Sequence, residues 1–141
     1  MSLVKDVMTE NVISVKPETT VDEAIELLLT HKISGVPVVD DNGQLVGIIS
    51  EYGLLDVIFD STFRDVCVGD VMTADPITVN ENTLVWETAS LFLVHRIRRL
   101  PVVRDGQLIG LVSRRDLLRS AFNQRSELQD IVDTAASFSK P

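Results

Sequence analysis

The order of apolar and polar positions predicts short strands and amphipathic helices. Apolar residues recur at helical spacing over 21–31, and this pattern predicts a helix. Thr20 and Glu23 have the spacing of a capping box at its start. Runs rich in β-branched residues at 36–39 and 45–49, separated by an Asp-Asn-Gly turn, predict two strands joined as a hairpin.

The same pattern occurs twice along the chain. At an offset of 64 residues, 16 of the 34 positions from Asp6 to Val39 are identical, and after the turn the match continues at an offset of 63. Each repeat predicts the order β-α-β-β-α, so one fold unit is used twice. The predicted elements are strands at 12–15, 36–39 and 45–49 with helices at 21–31 and 51–59, then strands at 77–79, 100–103 and 108–112 with helices at 84–95 and 114–122.

A segment outside the repeat predicts one more helix. Ser126 and Gln129 have capping-box spacing, and an apolar stripe follows them up to Ala135. We expect this helix to pack on the domain or on a second copy, and its role stays open. The predicted organisation is a first unit at 1–62, a second unit at 63–123, and a C-terminal helix and tail at 124–141.

Composition narrows the class of protein. The chain has 141 residues, 45% of them hydrophobic, which is enough for one domain or two small joined units. No apolar run approaches the roughly 20 residues of a membrane helix, and the N-terminus lacks the apolar region of a signal peptide. We therefore expect a cytoplasmic protein without membrane insertion.

The residue inventory also argues against catalysis and metal binding. A single cysteine, Cys67, excludes an intramolecular disulfide, and with two histidines it makes a zinc site a poor interpretation. The sequence contains no nucleophile–base arrangement and no glycine-rich phosphate loop. We expect no enzyme, no catalytic residue, no metal site and no required cofactor.

Charge is divided unevenly between the halves. Residues 1–62 carry three lysines against eleven acidic residues, whereas 63–141 carry ten basic and ten acidic residues. Nine of those ten bases are arginines, whose planar fork of donors suits phosphate. An anion site is therefore expected in the second half, although a solvated arginine surface is the alternative. The net charge of −8 argues against nucleic acid as a partner.

Three motifs, each present in both repeats, resemble the cystathionine-β-synthase (CBS) domain family arranged as a tandem pair, or Bateman module. The first motif is Val-Met-Thr at 7–9 and 71–73. The second is an apolar residue followed by Pro-Val-Val, ending at 39 and 103. The third begins with glycine and ends with leucine, at 47–54 and 110–117. The resemblance covers about residues 3–122. It implies an α/β (α+β) fold in which two β-α-β-β-α motifs pack with pseudo-twofold symmetry, plus the C-terminal helix.

The same resemblance implies a function. Family members bind adenine nucleotides or adenosyl compounds in two clefts between the motifs, pair into homodimers and regulate other proteins. We expect AMP, ADP or ATP as ligand, with S-adenosylmethionine less favoured because several arginines suit phosphate better. The chain is then a regulatory module acting on a separate, unknown partner. The alternative is a dimeric interaction scaffold that needs no ligand, and the dimer orientation stays open.

Ser113 and Asp116 lie where the family binds ribose. An ionised carboxylate can accept hydrogen bonds from both neighbouring ribose hydroxyls, and such charge-assisted bonds are strong. The free amides at a helix start also favour an anion. The alternative interpretation of both residues is a helix cap with an acid in the first turn.

Phosphate and adenine contacts are also expected in the second repeat. The resemblance places phosphate near Arg98 and Arg99, with Arg114 and Arg115 close by. Because adjacent strand residues face opposite sides, we expect one arginine of each pair to face the cleft, and Arg98 is the favoured one. Adenine is expected to contact backbone and apolar groups around Ile77, Thr78 and Leu111, although Ile77 and Leu111 are equally well explained as core.

The first repeat departs from this pattern. Ser50 keeps the hydroxyl, but Gly53 replaces the ribose-binding acid, and Ser34 and Gly35 replace the arginine pair. We therefore expect one competent nucleotide site per chain, and whether the first cleft binds anything stays open. Glu51, which replaces a further arginine, would either repel phosphate or accept from a base edge.

Overall fold

The computed structural model describes residues 2–60 and 65–138, and it confirms the predicted mixed α+β class. Its elements in chain order are α1 (Val4–Val7), α2 (Val21–His31), β1 (Gly35–Val39), β2 (Leu45–Ser50), α3 (Glu51–Ile58), α4 (Val68–Val71), β3 (Thr73–Ala74), β4 (Val79–Asn80), α5 (Val85–His95), β5 (Arg99–Arg104), β6 (Gln107–Ser113) and α6 (Arg114–Phe138). In place of the predicted strand at 12–15, Val15 forms a single parallel bridge to Val38.

The strands of the two repeats form two three-stranded sheets. Their strand orders are β1-β2-β3 and β4-β5-β6. The central hairpins share one register, because Gly35 pairs with Ser50 at the end of the first and Arg99 pairs with Ser113 at the end of the second. Equivalent residues of the two units therefore occupy equivalent places, including the strand ends where chemistry was expected.

The opening segment of each repeat packs in the opposite unit. Val4 is fully buried in the core of the second unit, and Val68 is fully buried in the core of the first. Strand β3 pairs with β2, while Thr9 and Leu111 exchange two backbone hydrogen bonds of 2.9 Å. This exchange ties the two units into one body.

The hairpin turns add a second tie between the units. The Leu45 amide donates to the Gly106 carbonyl at 3.0 Å, and the Leu108 amide donates to the Gly43 carbonyl at 3.2 Å. Gly43 and Gly106 have φ of +79° and +80°, a region that residues with a side chain rarely adopt. Glycine at both turns therefore lets the two hairpins pair tip to tip.

The predicted C-terminal helix is present, but as a continuation of α6. This helix runs for 25 residues without a break at Ser126, because the sequence between 122 and 126 contains neither glycine nor proline. The predicted boundary at 123/124 falls inside it, and the boundary at 62/63 lies outside the described residues. Among the described helices, none is both long enough and apolar enough to cross a membrane.

The exchange predicts that Gly47 is sensitive to substitution. A Cβ added there would lie 2.5 Å from the Met72 sulfur and 2.8 Å from the Thr73 carbonyl oxygen. We expect Gly47→Ala to lower the free energy of unfolding by about 1–3 kcal/mol, because the crossing segment has to shift. Urea-induced unfolding monitored by circular dichroism measures this change.

Gly53→Ala is the matched control. A Cβ at Gly53 would meet its nearest neighbour, the Ile49 Cδ1, at 3.4 Å, which is ordinary contact. Alanine is also a better helix former, so the free energy of unfolding should stay the same or rise by up to about 1 kcal/mol. Equal losses in the two variants would contradict the role given to the crossing segment.

Candidate functional site

A cavity of about 910 Å³ opens between the two units. The first unit contributes the segment 11–13, the facing sides of α2 and α3, and the start of β1. The second unit contributes three of the residues singled out by the sequence: Arg99, Leu111 and Ser113. The lining residues are Thr9, Asn11, Val12, Ile13, Ile25, Leu28, Leu29, Lys32, Ile33, Ser34, Gly35, Val36, Glu51, Leu54, Leu55, Ile58, Arg99, Leu111 and Ser113.

The exchanged opening segment creates this cavity. The Thr9–Leu111 backbone pairing brings residues 11–13 of the first unit against the end of β6. Arg99 and Ser113 enter together because they are register partners at the ends of β5 and β6. Each wall therefore comes from a different repeat.

The walls divide into an apolar part and a polar edge. Val12, Ile13 and Ile33 are partly buried apolar side chains near the segment crossing, and Ile13 and Ile33 also pack on the first core. Lys32 and Glu51, both from the first unit, add charged side chains to the lining. An apolar slot with a charged rim suits a ligand that has one flat apolar part and one anionic part.

Arg99 crosses from the second unit to the first. Its guanidinium donates a hydrogen bond to the Ser34 hydroxyl. A Cβ on Gly35 would lie 2.5 Å from the Arg99 Nη1, so the side chain occupies space that glycine leaves open. Gly35 is the repeat equivalent of Arg99, and the two meet across the pseudo-twofold axis.

Arg98 and Arg114 lie near enough to Arg99 for their charges to act on its guanidinium. The pKa of Arg99 is lowered, first because its guanidinium is partly desolvated and then because Arg98 and Arg114 repel its charge, while Glu51 opposes the shift. The cluster therefore holds more positive than negative charge. An anion placed among these side chains relieves the repulsion.

Arg98, the favoured arginine of the pair, does not line the large cavity, whereas Arg99 does. The Arg98 Nη1 lies 3.9 Å from the Glu51 Oε1, and both side chains are about half exposed. Arg98 precedes β5, and its carbonyl accepts from the Arg114 amide at 3.3 Å. Strand alternation predicted that the two arginines face opposite sides, but it could not determine which one lines the cavity, and of the pair only Arg99 belongs to β5.

Ser113 and Asp116 form a capping box at the start of α6. The Ser113 amide donates to the Asp116 Oδ2 at 2.8 Å, and the Asp116 amide donates to the Ser113 Oγ at 3.2 Å. The structural role proposed as the alternative is therefore present. Arg119 lies 3.7 Å from the other carboxylate oxygen of Asp116.

Asp116 and Ser113 face different cavities. Ser113 lines the large cavity, whereas Asp116 lines a polar cavity of about 600 Å³ between α1 and α6, together with Asp6 and Arg119. The side chain of Asp116 is 16% exposed. The two residues remain hydrogen-bonded neighbours, so the carboxylate lies directly behind the cavity edge.

The remaining candidates do not line the large cavity. Arg114 and Arg115 are exposed at the start of α6. Ile77 and Thr78 are exposed and do not line the large cavity, where the repeat equivalent of Ile77, Ile13, is found instead. The Val-Met-Thr segments mark the start of each repeat in the sequence. Nothing in the local sequence shows that these segments cross to the other unit and so place Ile13, rather than Ile77, in the large cavity.

The large cavity contains residues that the sequence analysis assigned to different clefts. Sequence analysis assigned Glu51 to the first cleft and Arg99 to the second, yet both residues line one cavity. The reason is the close approach of β1 and β5 at the pseudo-twofold axis, which the Arg99–Ser34 contact shows. Sequence reasoning also missed Asn11, Lys32 and Ile33 as lining residues.

Sequence comparisons identify relatives with this repeated organisation. The family model "CBS domain" matches residues 4–60 and 68–123. The chain is 37% identical over 158 aligned residues to the chloroplastic CBS domain-containing protein CBSX2 of Arabidopsis thaliana, covering 90% of this chain and 66% of that protein. It is also 41% identical over 115 residues to the inosine-5'-monophosphate dehydrogenase of Methanocaldococcus jannaschii, covering 81% of this chain but 22% of that enzyme.

Solved structures show the same architecture. The crystal structure of CBSX2 in complex with AMP matches with a TM-score of 0.82 and 42% identity, covering 89% of this chain and 99% of that one. The CBS domain pair of protein MJ0100, in complex with 5'-methylthioadenosine and S-adenosyl-L-methionine, matches with a TM-score of 0.78 and 28% identity, covering 88% and 98%. The family model matches both repeats, and both solved structures have the same fold as this chain. The chain belongs to the CBS domain family.

Proposed function

We propose that this chain is a regulatory CBS pair that binds an adenine nucleotide between its two units and acts on a separate partner, without catalysis of its own. The observation that carries the proposal is the position of Arg99 in an apolar-walled cavity between the units, with Arg98 and Arg114 near enough to act on its charge. The cavity volume of about 910 Å³ lies within the range of small-molecule sites. The AMP complex of CBSX2 supports the ligand class.

The expected cytoplasmic location of this chain stays part of the proposal. The related protein CBSX2 is chloroplastic.

The proposed pose follows the polarity of the walls. The adenine base packs against Val12, Ile13 and Ile33, where burial of apolar surface favours a flat ring. The ribose lies at Ser113, within reach of the Asp116 carboxylate behind it. The phosphate then meets the arginine cluster.

Charge at the polar edge favours a phosphate over a sulfonium. Arg99 lies within the repulsive field of Arg98 and Arg114, so one more cation is disfavoured there. AMP, ADP and ATP are therefore preferred to S-adenosylmethionine, although MJ0100 binds the latter. Arg115 is exposed and contributes only as part of the surrounding field.

Ligand binding is coupled to the arrangement of the units through Arg99. Its guanidinium donates a hydrogen bond to the Ser34 hydroxyl of the opposite unit. A bound phosphate competes for the same donors, so the nucleotide alters a contact between the units. Any resulting shift is limited by the difference in nucleotide affinity between the two arrangements.

A specific observation also favours a homodimer, on which the ligand-independent scaffold depends. Three pairs of identical, repeat-equivalent residues are exposed on α2, α5, α6 and the end of α3. They are Leu29 and Leu93 at 73% and 80% exposed, Leu55 and Leu118 at 54% and 69%, and Phe59 and Phe122 at 89% and 68%. Exposed apolar side chains at repeat-equivalent positions suit contact with a second copy of the chain, although Leu29 and Leu55 also line the large cavity.

Replacing Asp116, the carboxylate proposed to bind the ribose, tests the proposed pose. We expect Asp116→Asn to weaken AMP binding by roughly 10- to 100-fold, because a charge-assisted bond to ribose is lost. Isothermal titration of AMP, ADP, ATP and S-adenosylmethionine should show one site per chain in the unchanged protein. Asp70→Asn is the matched control, since Asp70 accepts from the Cys67 amide in a similar capping box outside the cavity. Unchanged AMP affinity in Asp116→Asn, or two sites per chain, would contradict the pose.

Arg99→Gln tests the phosphate contact. AMP affinity should fall about tenfold or more, whereas adenosine, which has no phosphate, should bind nearly as before. The comparison separates phosphate recognition from any general effect of losing the Ser34 contact. Arg104→Gln is the control, because Arg104 lies at the opposite end of β5 from Arg99 and forms an ion pair with Glu81. Parallel losses for AMP and adenosine would indicate a structural role for Arg99.

The exposed apolar pairs predict the state of association. We expect the unchanged protein to sediment as a dimer and Phe59→Glu/Phe122→Glu to sediment as a monomer, because burying charge in an apolar interface is costly. Trp86→Glu is the control, since Trp86 is 60% exposed but has Asp22 as its repeat equivalent and lies outside the symmetric set. A double variant that stays dimeric would move the interface elsewhere. A dimer that binds none of the four nucleotides would favour the scaffold.

A further inference from the structure

We infer that Glu51 makes the cavity select its nucleotide by charge, admitting a monophosphate and opposing a second and third phosphate. This inference rests on the proposed function and assigns Glu51 a role in specificity. Of the two roles that the sequence left open for Glu51, it takes phosphate repulsion rather than acceptance from a base edge.

The position of Glu51 carries the first step. Glu51 is the first residue of α3, and its amide donates to the Ser34 carbonyl at 3.0 Å. Its side chain lines the cavity that also contains Arg99. The carboxylate lies 3.9 Å from Arg98, on the same edge where a nucleotide phosphate is expected.

The repeat shows what Glu51 replaces. Its equivalent is Arg114, the first residue of α6, whose amide donates to the Arg98 carbonyl in the same way. The two helix starts therefore approach one edge from opposite units. One carries a base and the other carries an acid.

The positive charge around Glu51 is limited. Arg98, Arg99 and Arg114 together with the Glu51 carboxylate carry a net charge of two positive units, and Lys32 adds one more positive charge to the cavity lining. A phosphate monoester carries about −1.5 to −2 charges at neutral pH. Each added phosphate brings about one more negative charge with no guanidinium left over in this cluster, and it approaches the Glu51 carboxylate.

Two simpler roles of Glu51 predict a different result. An acid in the first turn of a helix interacts favourably with the helix dipole, and a half-exposed ion pair with Arg98 adds little. Both roles alter stability. Neither changes the relative affinities of AMP and ATP, so the ratio of the two dissociation constants is the informative quantity.

The test is isothermal titration of AMP and ATP, without divalent cations and at low ionic strength, into the unchanged protein and Glu51→Gln. We expect the unchanged protein to prefer AMP, and Glu51→Gln to reduce the ATP-to-AMP ratio of dissociation constants by about five- to tenfold, mainly through tighter ATP binding. At 0.5 M salt the difference should shrink, since exposed charges are screened. Glu51→Ala repeats the test if the glutamine variant does not fold.

Asp22→Asn is the matched control for charge. Asp22 is an exposed acid in the first turn of α2 and does not line the cavity, so its loss should leave the ratio unchanged. Tighter binding of ATP than AMP by the unchanged protein, or an unaltered ratio in Glu51→Gln, would overturn the inference while leaving the proposed function intact. Failure of the unchanged protein to bind either nucleotide would instead reject the proposed function, and this inference with it.

Discussion

The exchange of opening segments is the constraint on which the molecule depends. Val4 and Val68 are buried in each other's units, so neither sheet has a complete core without the partner repeat. The crossing also requires close approach of backbone, since Met72 lies over Gly47 and Met8 lies over Gly110. The cavity follows from the same exchange, because the Thr9–Leu111 pairing fixes the wall at 11–13 against the end of β6.

The pseudo-twofold axis gives a physical reason for the divergence of the repeats. Equivalent positions meet near this axis, so identical residues there would meet their own copies. An arginine in place of Gly35 would bring a second guanidinium onto Arg99, which is already partly desolvated and repelled by two neighbouring arginines. Ser34 accepts a hydrogen bond from Arg99 and Glu51 pairs with Arg98, so the first repeat supplies complements to the second. The departures that look like a degraded site in the sequence form one composite edge in the structure.

Local features of the sequence predicted much of the fold. The helix over 21–31 has the predicted bounds, and the structure shows the Thr20–Glu23 capping box, because periodicity and capping act within a few residues. The hairpins were predictable for the same reason. The crossing of segments, the inward position of Arg99 and the reduction of the strand at 12–15 to one bridge depend on contacts between distant residues. Periodicity contains no information about which distant segments meet, so it could not show that residues 11–13, Arg99 and Ser113 line one cavity.

Under the proposed function, the two halves of the site serve recognition differently. The Ser113–Asp116 capping box lies within one unit. The Asp116 carboxylate accepts one hydrogen bond from the Ser113 backbone amide, which leaves further acceptor positions on its oxygens. Such a preordered group binds without losing much side-chain freedom. The Arg99–Ser34 contact instead joins the two units, and a phosphate has to compete with it. Ribose recognition is therefore local and rigid, whereas phosphate recognition alters the contact between units. A nucleoside without phosphate can satisfy the first half but leaves Arg99 on Ser34, so the signal to a partner depends on the phosphate.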